Sequence, residues 1–218
     1  MKVLVSGSSS GIGLEVAKKY LELGHEVYGL DLLESKINHP KYHHFVCNIS
    51  RKSTLPDIEG VEILFNNAGL QNSDNDIENN LIGTINVTEK YGLNNKDVKS
   101  ILFNASSSSI TGQEFDKYVA SKAGIVGYMK NIAIKLAPQQ VTVNAISFGG
   151  VLTDSNKPVI QNKTKWEQIM KVTPLKKWMS LEETTDWIIF LTLVNKSMSG
   201  QNVLVDNGEK DLNPTFVW

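Results

Sequence analysis

Short runs of apolar residues recur along the chain with helical periodicities between them. The runs are Val3-Leu4-Val5, Val27 to Leu30, Phe45-Val46-Cys47, Ile63-Leu64-Phe65, Ile101-Leu102-Phe103, Val141 to Ile146 and Val203-Leu204-Val205. None alternates apolar with polar, as expected of parallel strands covered on both faces. From about Gly11, Ile12, Val16, Tyr20 and Leu23 recur on one side of a predicted helix, with Gly24 as its stop. A long helix is predicted from about Phe115 to Ala137, ended by Pro138. Ser180-Leu181-Glu182-Glu183 reads as a capping box opening a helix to about Val194. Strands alternating with helices, joined by right-handed crossovers, give an α/β fold: a doubly wound, mostly parallel sheet of about seven strands with helices on both faces. The segment from Leu152 to Leu175 reads as a mobile insertion over a site.

Composition narrows the class. The 218 residues suit one domain spanning 1–218 with a substantial core. A formal charge of −1 offers no basic field for nucleic acid. The single cysteine, Cys47, excludes an internal disulfide and fits a reducing cytoplasm. The apolar run behind Met1 and Lys2 is too short for a signal h-region, and Trp187 to Val194 is far short of a membrane span. A soluble cytoplasmic protein, with no nucleic-acid or membrane partner, is expected. His39, His43 and His44 lack the Cys or carboxylate spacing of a metal site.

Two segments carry candidate chemistry. Ser6-Gly7-Ser8-Ser9-Ser10-Gly11-Ile12-Gly13 joins the first strand to a helix. There Gly7 permits a tight turn, Gly11 and Gly13 allow close approach, and free N–H groups at the helix start suit a dinucleotide pyrophosphate. Alone, such a pattern is weak, because glycine turns also simply join strands to helices. Asp31 ends the second strand, where a carboxylate can accept from adenosine ribose hydroxyls and would repel the extra phosphate of NADP. No Arg or Lys lies among Ser8, Ser9 and Ser10, and Leu32 follows Asp31, so NAD is the expected cofactor. In the second segment, Tyr118-Val119-Ala120-Ser121-Lys122 sets a phenol and an ammonium one turn apart on a helix face. Such a pair is common on solvated helices.

Together, in this order, the segments resemble the short-chain dehydrogenase/reductase family, in its single-domain branch. The resemblance covers nearly the whole chain and implies a Rossmann-type fold, hydride transfer between an alcohol and a carbonyl, and a homodimer or homotetramer. It gives Tyr118 the role of general acid/base. A free phenol has a pKa of about 10, and lowering it by roughly three units needs about 4 kcal/mol of selective phenolate stabilisation. Lys122 is expected to lower that pKa and to hold the nicotinamide ribose, and Asn80 to support a proton-relay water. In Asn104-Ala105-Ser106-Ser107-Ser108-Ser109, alignment on the Asn favours Ser107 as the serine orienting the carbonyl, with Ser106 and Ser108 as close alternatives. Asn66-Asn67-Ala68-Gly69 resembles the family motif that braces the sheet and lines the adenosine side, and Asn48 and Ile49 stand where relatives meet the adenine. Gly149, Val151 and Thr153 fall in the segment that holds the nicotinamide and pyrophosphate.

The departures from the pattern concern the substrate side. Phe148 replaces the usual proline, and its ring is free to narrow the nicotinamide pocket or wall the substrate. The stretches from Ile49 to Ile63, Gly69 to Asn80 and Ser107 to Tyr118 are short. Pro174-Leu175 and the helix after it look like 3-oxoacyl-acyl-carrier-protein reductases, which generally favour NADPH, so Asp31 argues against carrying that activity over. A small-molecule alcohol or carbonyl is the expected substrate; the open pocket also admits a carbonyl reductase of broad specificity. The reading of a different class is a non-catalytic NAD-sensing regulatory protein. Trp166 and Trp178 stand between facing substrate and packing, and the apolar tail Pro214-Thr215-Phe216-Val217-Trp218 is expected to dock on its own domain or a neighbouring subunit.

Overall fold

The computed structural model describes residues 1–212; the tail from Pro214 to Trp218 lies outside the described residues. Its seven strands are β1 (Lys2–Ser6), β2 (Glu26–Asp31), β3 (Tyr42–Val46), β4 (Ile63–Asn66), β5 (Ser100–Asn104), β6 (Thr142–Phe148) and β7 (Asn202–Val205). They form one sheet in the order β3-β2-β1-β4-β5-β6-β7, every neighbouring pair parallel. Strand order reverses beside β1, where the chain turns from building outward through β2 and β3 to building through β4. The carboxyl ends of β1 and β4 at this reversal are the usual ligand position in open α/β sheets.

The apolar runs become strands because they are covered twice. Leu4, Leu64, Ile101, Phe103, Val143 and Ala145 point into one core, with Tyr91, Ile125, Met129 and Ile132. Val3, Val5, Ile63, Phe65, Leu102 and Ile146 point into the other, with Val16, Tyr20 and Ile188. The helices divide accordingly. The long helix α4 (Asp116–Leu136) and α2 (Gly83–Thr88) cover the first face, while α1 (Gly11–Glu22) and α7 (Leu181–Ile189) cover the second. On that second face the Tyr20 hydroxyl shares a 2.6 Å hydrogen bond with Thr192 Oγ1, which satisfies a phenol with no exposed surface.

The trimmed regions fold tersely. Between β3 and β4 the only helical turn is a 3₁₀ segment, Lys52–Thr54. The helix before β5 is α-helical only in α2 and is flanked by π-helical turns at Ile77–Ile82 and Glu89–Leu93. The short helix α3 (Ser108–Thr111) leads toward α4. The segment from Leu152 to Leu175 is largely helical rather than an open loop, with α5 (Lys157–Ile160) and α6 (Lys163–Val172), but no residue of either helix is buried.

The capping box forms as expected: Ser180 Oγ accepts from Glu183 N–H, and Glu183 Oε2 accepts from Ser180 N–H. Ser180→Ala is expected to lower stability by about 1 kcal/mol, seen as a fall of about 2–4 °C in Tm for a chain of this size. An unchanged melting curve would show that α7 is held by packing alone.

Candidate active site

The glycine turn is built by close approach. Gly7 has φ +72°, and a Cβ there would meet Ala68 Cα at 2.8 Å. A Cβ on Gly13 would lie 2.0 Å from the Gly7 carbonyl oxygen, so only glycine lets α1 sit this close to the turn. Ser10, the N-cap of α1, makes no side-chain cap, and no acidic residue occupies the first turn. The uncapped N–H groups leave room and partial positive charge for an anion. Asp31 accepts from Ser9 N–H and Leu33 N–H, each at 2.9 Å, so one carboxylate ties the turn to the end of β2. Among the described residues no cation pairs with Asp31, and Leu32 beside it is exposed. Thr153 faces the turn from the other side, its Cγ2 3.9 Å from where a Gly11 Cβ would be.

Other expected cofactor positions are more occupied. Asn48 Oδ1 accepts from Ser50 N–H and Ser50 Oγ, which makes it a turn-former, and Ile49 packs in the core. Val151 is buried, and its carbonyl accepts from Asn156 Nδ2. Gly149 presses against Asp206 and donates its N–H to Val205 O.

From the turn, hydrogen bonds run across the sheet to the second segment. Asn67 Nδ2 donates to the Ser6 and Gly7 carbonyls at 3.1 Å, and Asn67 Oδ1 accepts from Asn104 Nδ2 at 2.9 Å. The Asn104 carbonyl in turn accepts from Lys122 Nζ at 2.7 Å. Ser6 Oγ accepts from Asn67 N–H and Ala68 N–H, pinning the strand ends together. Gly69 approaches Asn80 and Lys122 so closely that a Cβ would lie 3.2 Å from Asn80 Oδ1 and 3.5 Å from Lys122 Nζ. Asn80 lies within the first π-helical turn, fully buried, where it accepts from Leu70 N–H and donates to Leu70 O and Ser121 Oγ. A π-turn shifts the helix register and is often found at functional sites.

Tyr118 and Lys122 stand together on α4, the ammonium 5.7 Å from the ring centroid. A hydrogen bond from the Ser106 hydroxyl favours the Tyr118 phenolate. Ser107 donates its N–H to Phe148 O, continuing the β5–β6 ladder, and its hydroxyl makes no hydrogen bond among the described residues. Ser106 Oγ also accepts from Ser108 N–H and Oγ. In the unliganded site the phenol lies above its ordinary value. Burial pushes Tyr118 up to about 12, against the pull of the Ser106 hydrogen bond. Burial likewise draws Lys122 down to about 8, while Asp76 and Glu114 favour its charged form. Desolvation outweighs the Ser106 hydrogen bond on the phenol, so the unliganded site holds a neutral phenol suited to giving a proton.

The remaining candidates resolve by packing. The Phe148 ring is buried in the second core with Val5, Val16 and Met179. Trp178 lies against Gly150, where a Cβ would fall 2.1 Å from the indole, and meets Trp166 edge-on at 5.3 Å between ring centroids. His43 bonds Glu26 at 2.9 Å, and His44 bonds the Leu33 carbonyl at 2.8 Å. Sequence reasoning missed Asp76, Glu114 and the bridging role of Asn104. For Asp76 a signal existed, its place four residues before Asn80 on a helix.

The family model described as Enoyl-(Acyl carrier protein) reductase matches residues 7–210. The chain is 24% identical to 3-oxoacyl-[acyl-carrier-protein] reductase FabG of Buchnera aphidicola subsp. Acyrthosiphon pisum (strain APS), over 94% of this chain and 95% of that protein. It is 27% identical to the protein of the same name in Rickettsia prowazekii (strain Madrid E), with the same coverage. Among solved structures it is similar to a 4-hydroxyisoleucine dehydrogenase mutant complexed with NADH and succinate, with TM-score 0.86, 22% identity and coverage of 98% of this chain and 100% of that one. It is also similar to a putative 2-deoxy-d-gluconate 3-dehydrogenase from Agrobacterium tumefaciens with bound NADP, with TM-score 0.84, 22% identity and 95% of each chain covered.

A raised phenol pKa binds protons more tightly in the folded state, so its contribution to stability is present below about pH 10 and is lost as pH rises through about 12. Absorbance at 295 nm is therefore expected to be the same for the wild type and Tyr118→Phe between pH 8 and pH 10. A phenolate signal from Tyr118 in that window would show that the lysine's field outweighs burial.

Proposed function

Since the chain belongs to the short-chain dehydrogenase/reductase family of oxidoreductases, we propose that it is an NAD(H)-dependent oxidoreductase interconverting a small alcohol and its carbonyl. The observation that carries this reading is the hydrogen-bonded path from the glycine turn to Lys122, which joins an anion cradle to a buried ammonium beside the half-buried phenol of Tyr118.

The site fits a dinucleotide. Gly7 and Gly13 keep side chains out of the cradle, the uncapped start of α1 suits the pyrophosphate, and Asp31 suits ribose hydroxyls. Ser9, Ser10, Gly11, Ile12, Asn67, Ala68, Gly69, Gly149, Val151 and Thr153 would complete the binding surface. The nicotinamide cofactor supplies or takes up the hydride. Tyr118 donates its proton to the oxygen of the reduced carbonyl, and its neutral state makes this the direction for which the unliganded site is poised. Lys122 contributes positive charge beside that oxygen and a donor for the ribose. Ser106, whose hydroxyl favours the phenolate by a hydrogen bond, orients the carbonyl, with Ser107 as the alternative. Asn80 holds the Leu70 backbone and Ser121 in place and so supports a proton route out of the site. Asp31 without a pairing cation favours NAD over NADP. The relatives named as 3-oxoacyl-[acyl-carrier-protein] reductases and the neighbours with NADH or NADP support nicotinamide chemistry in general. A cytoplasmic homodimer or homotetramer belongs to the same proposal. The sensor reading loses one of its supports, since the Phe148 ring lies in the core.

Fluorescence titration with NADH and NADPH separately is expected to show tighter binding of NADH. Equal or tighter binding of NADPH would overturn the role given to Asp31. Tyr118→Phe is expected to lower kcat by roughly 10²–10⁴-fold while sparing NADH binding; full activity would remove the phenol from the mechanism. Ser106→Ala is expected to lower kcat/KM by at least tenfold, with Ser107→Ala within a few-fold of wild type. The reverse order would return the assignment to Ser107.

A further inference from the structure

Past Asp31 the chain leaves the sheet with nothing apolar to hold it: Leu32, Leu33 and Glu34 are all exposed. Polar contacts rather than packing therefore place this loop, and its placement matters to the carboxylate. Leu33 N–H donates to Asp31 Oδ1 and Ser9 N–H, from the glycine turn, donates to Oδ2, each at 2.9 Å. Two backbone groups thus aim Asp31, and each needs a support of its own.

Both supports come from β3. His44 Nε2 bonds the Leu33 carbonyl at 2.8 Å, and Ser9 Oγ donates to the same oxygen at 3.2 Å. A carbonyl can only accept, so Nε2 carries a proton and Nδ1 is left to the Tyr42 hydroxyl, 3.1 Å away. Tyr42 in turn donates to Ser8 Oγ at 2.9 Å, and Ser8 lies buried beside Ser9 in the turn. The sheet makes room for these contacts at one residue. A Cβ on Gly29, inside β2, would lie 2.0 Å from the Tyr42 hydroxyl oxygen and 2.4 Å from Ser8 Oγ. Glycine weakens a strand interior, and it marks a close approach of this kind. Tyr42 and His44 share one face of β3, whereas His43 between them points to the other and bonds Glu26 at 2.9 Å.

We propose that His44 and Tyr42 are positioning residues for the adenosine half of the dinucleotide site. His44 acts through the Leu33 carbonyl and Tyr42 through Ser8, and together they hold Asp31 toward the ribose. This rests on the reading of the glycine turn and Asp31 as an NAD site, but the contacts themselves lie wholly within the free protein. Neither side chain needs to touch the cofactor. Without the His44 donor the exposed loop loses its tie to β3, and Leu33 N–H no longer fixes the carboxylate. Acceptance from the ribose hydroxyls and repulsion of the extra phosphate of NADP then weaken together.

The test is amide hydrogen exchange by NMR in the free protein, followed by fluorescence titration of the same variants with NADH and NADPH. His44→Leu is expected to lower the protection of the Leu33 amide about tenfold and to raise the NADH Kd about three- to tenfold, equivalent to one hydrogen bond. The preference for NADH over NADPH narrows with it. His44→Gln, which keeps a donor near the Nε2 position, restores both readings, a rescue that a merely space-filling histidine would not show. Tyr42→Phe keeps the ring and is expected to expose the Ser9 amide and weaken NADH binding likewise, and it decides the matter should His44→Leu fail to fold. His43→Leu, on the opposite face, stays within about twofold of wild type in both readings. Unchanged Leu33 protection or NADH affinity in His44→Leu, or an equal loss in His44→Gln or His43→Leu, overturns the proposal. A wild type that binds neither dinucleotide removes the proposed function and the cofactor role with it, while the amide readings still decide whether the two side chains hold Asp31.

Discussion

The side chain of Asn67 holds this site together. Its amide nitrogen spans the carbonyls of Ser6 and Gly7, and its oxygen takes the amide of Asn104, whose own carbonyl receives Lys122. An Asn offers two donors and an acceptor in one plane, so a single residue locks the ends of β1, β4 and β5 to one another. Positions more than fifty residues apart in sequence thereby share one rigid frame. The close approach of Gly7 to Ala68 and of Gly13 to Gly7 depends on that frame, since any widening would leave the asparagine's donors unpaired in a half-buried place.

Desolvation is the second constraint, and it acts on both reactive groups at once. Burial raises the phenol of Tyr118 and depresses the ammonium of Lys122, so each is displaced toward its neutral form. Both groups lie on a helix whose other buried positions are Ser121, Ile125, Met129, Ile132, Ala133 and Leu136. Local departures from regularity gather at the same spot. The π-helical turn carrying Asn80 bonds to Ser121 on the same helix, Glu114 precedes that helix with a left-handed backbone, and Asp76 before the π-turn keeps an unpartnered oxygen. Strain and unmet polarity of this kind persist where surrounding structure over-determines them, which is the behaviour of a functional site.

The shortened connections give the molecule its particular character. With only a 3₁₀ turn between β3 and β4, Ile49 packs directly on Gly83, where a Cβ would come within 2.7 Å. The indole of Trp178 occupies the space over Gly150, so the segment after β6 is supported by an aromatic pair, Trp166 and Trp178. The Phe148 ring turns into the core because the alternation of β6 puts its side chain on the same face as Ile146.

Much of this was legible beforehand for physical reasons. Uninterrupted apolar runs located all seven strands, because only strands buried on two faces need such runs. Glycine, serine and glutamate placed the turn and the α7 cap, because those local geometries have few chemical solutions. The order of motifs pointed to the cofactor end and to Tyr118 and Lys122. What the chain could not disclose were quantities set by distant neighbours. Four serines in a row look alike until the β5–β6 ladder takes the N–H of Ser107 and the Ser106 hydroxyl accepts from Ser108. The sign of the Tyr118 shift depended on how completely the fold desolvates the phenol. Asp76 reads as one more polar helix residue until the fold buries it. Sequence determined which elements form and which chemical groups are present; tertiary packing decided their hydration and their partners, because register and desolvation are properties of contacts made far apart along the chain.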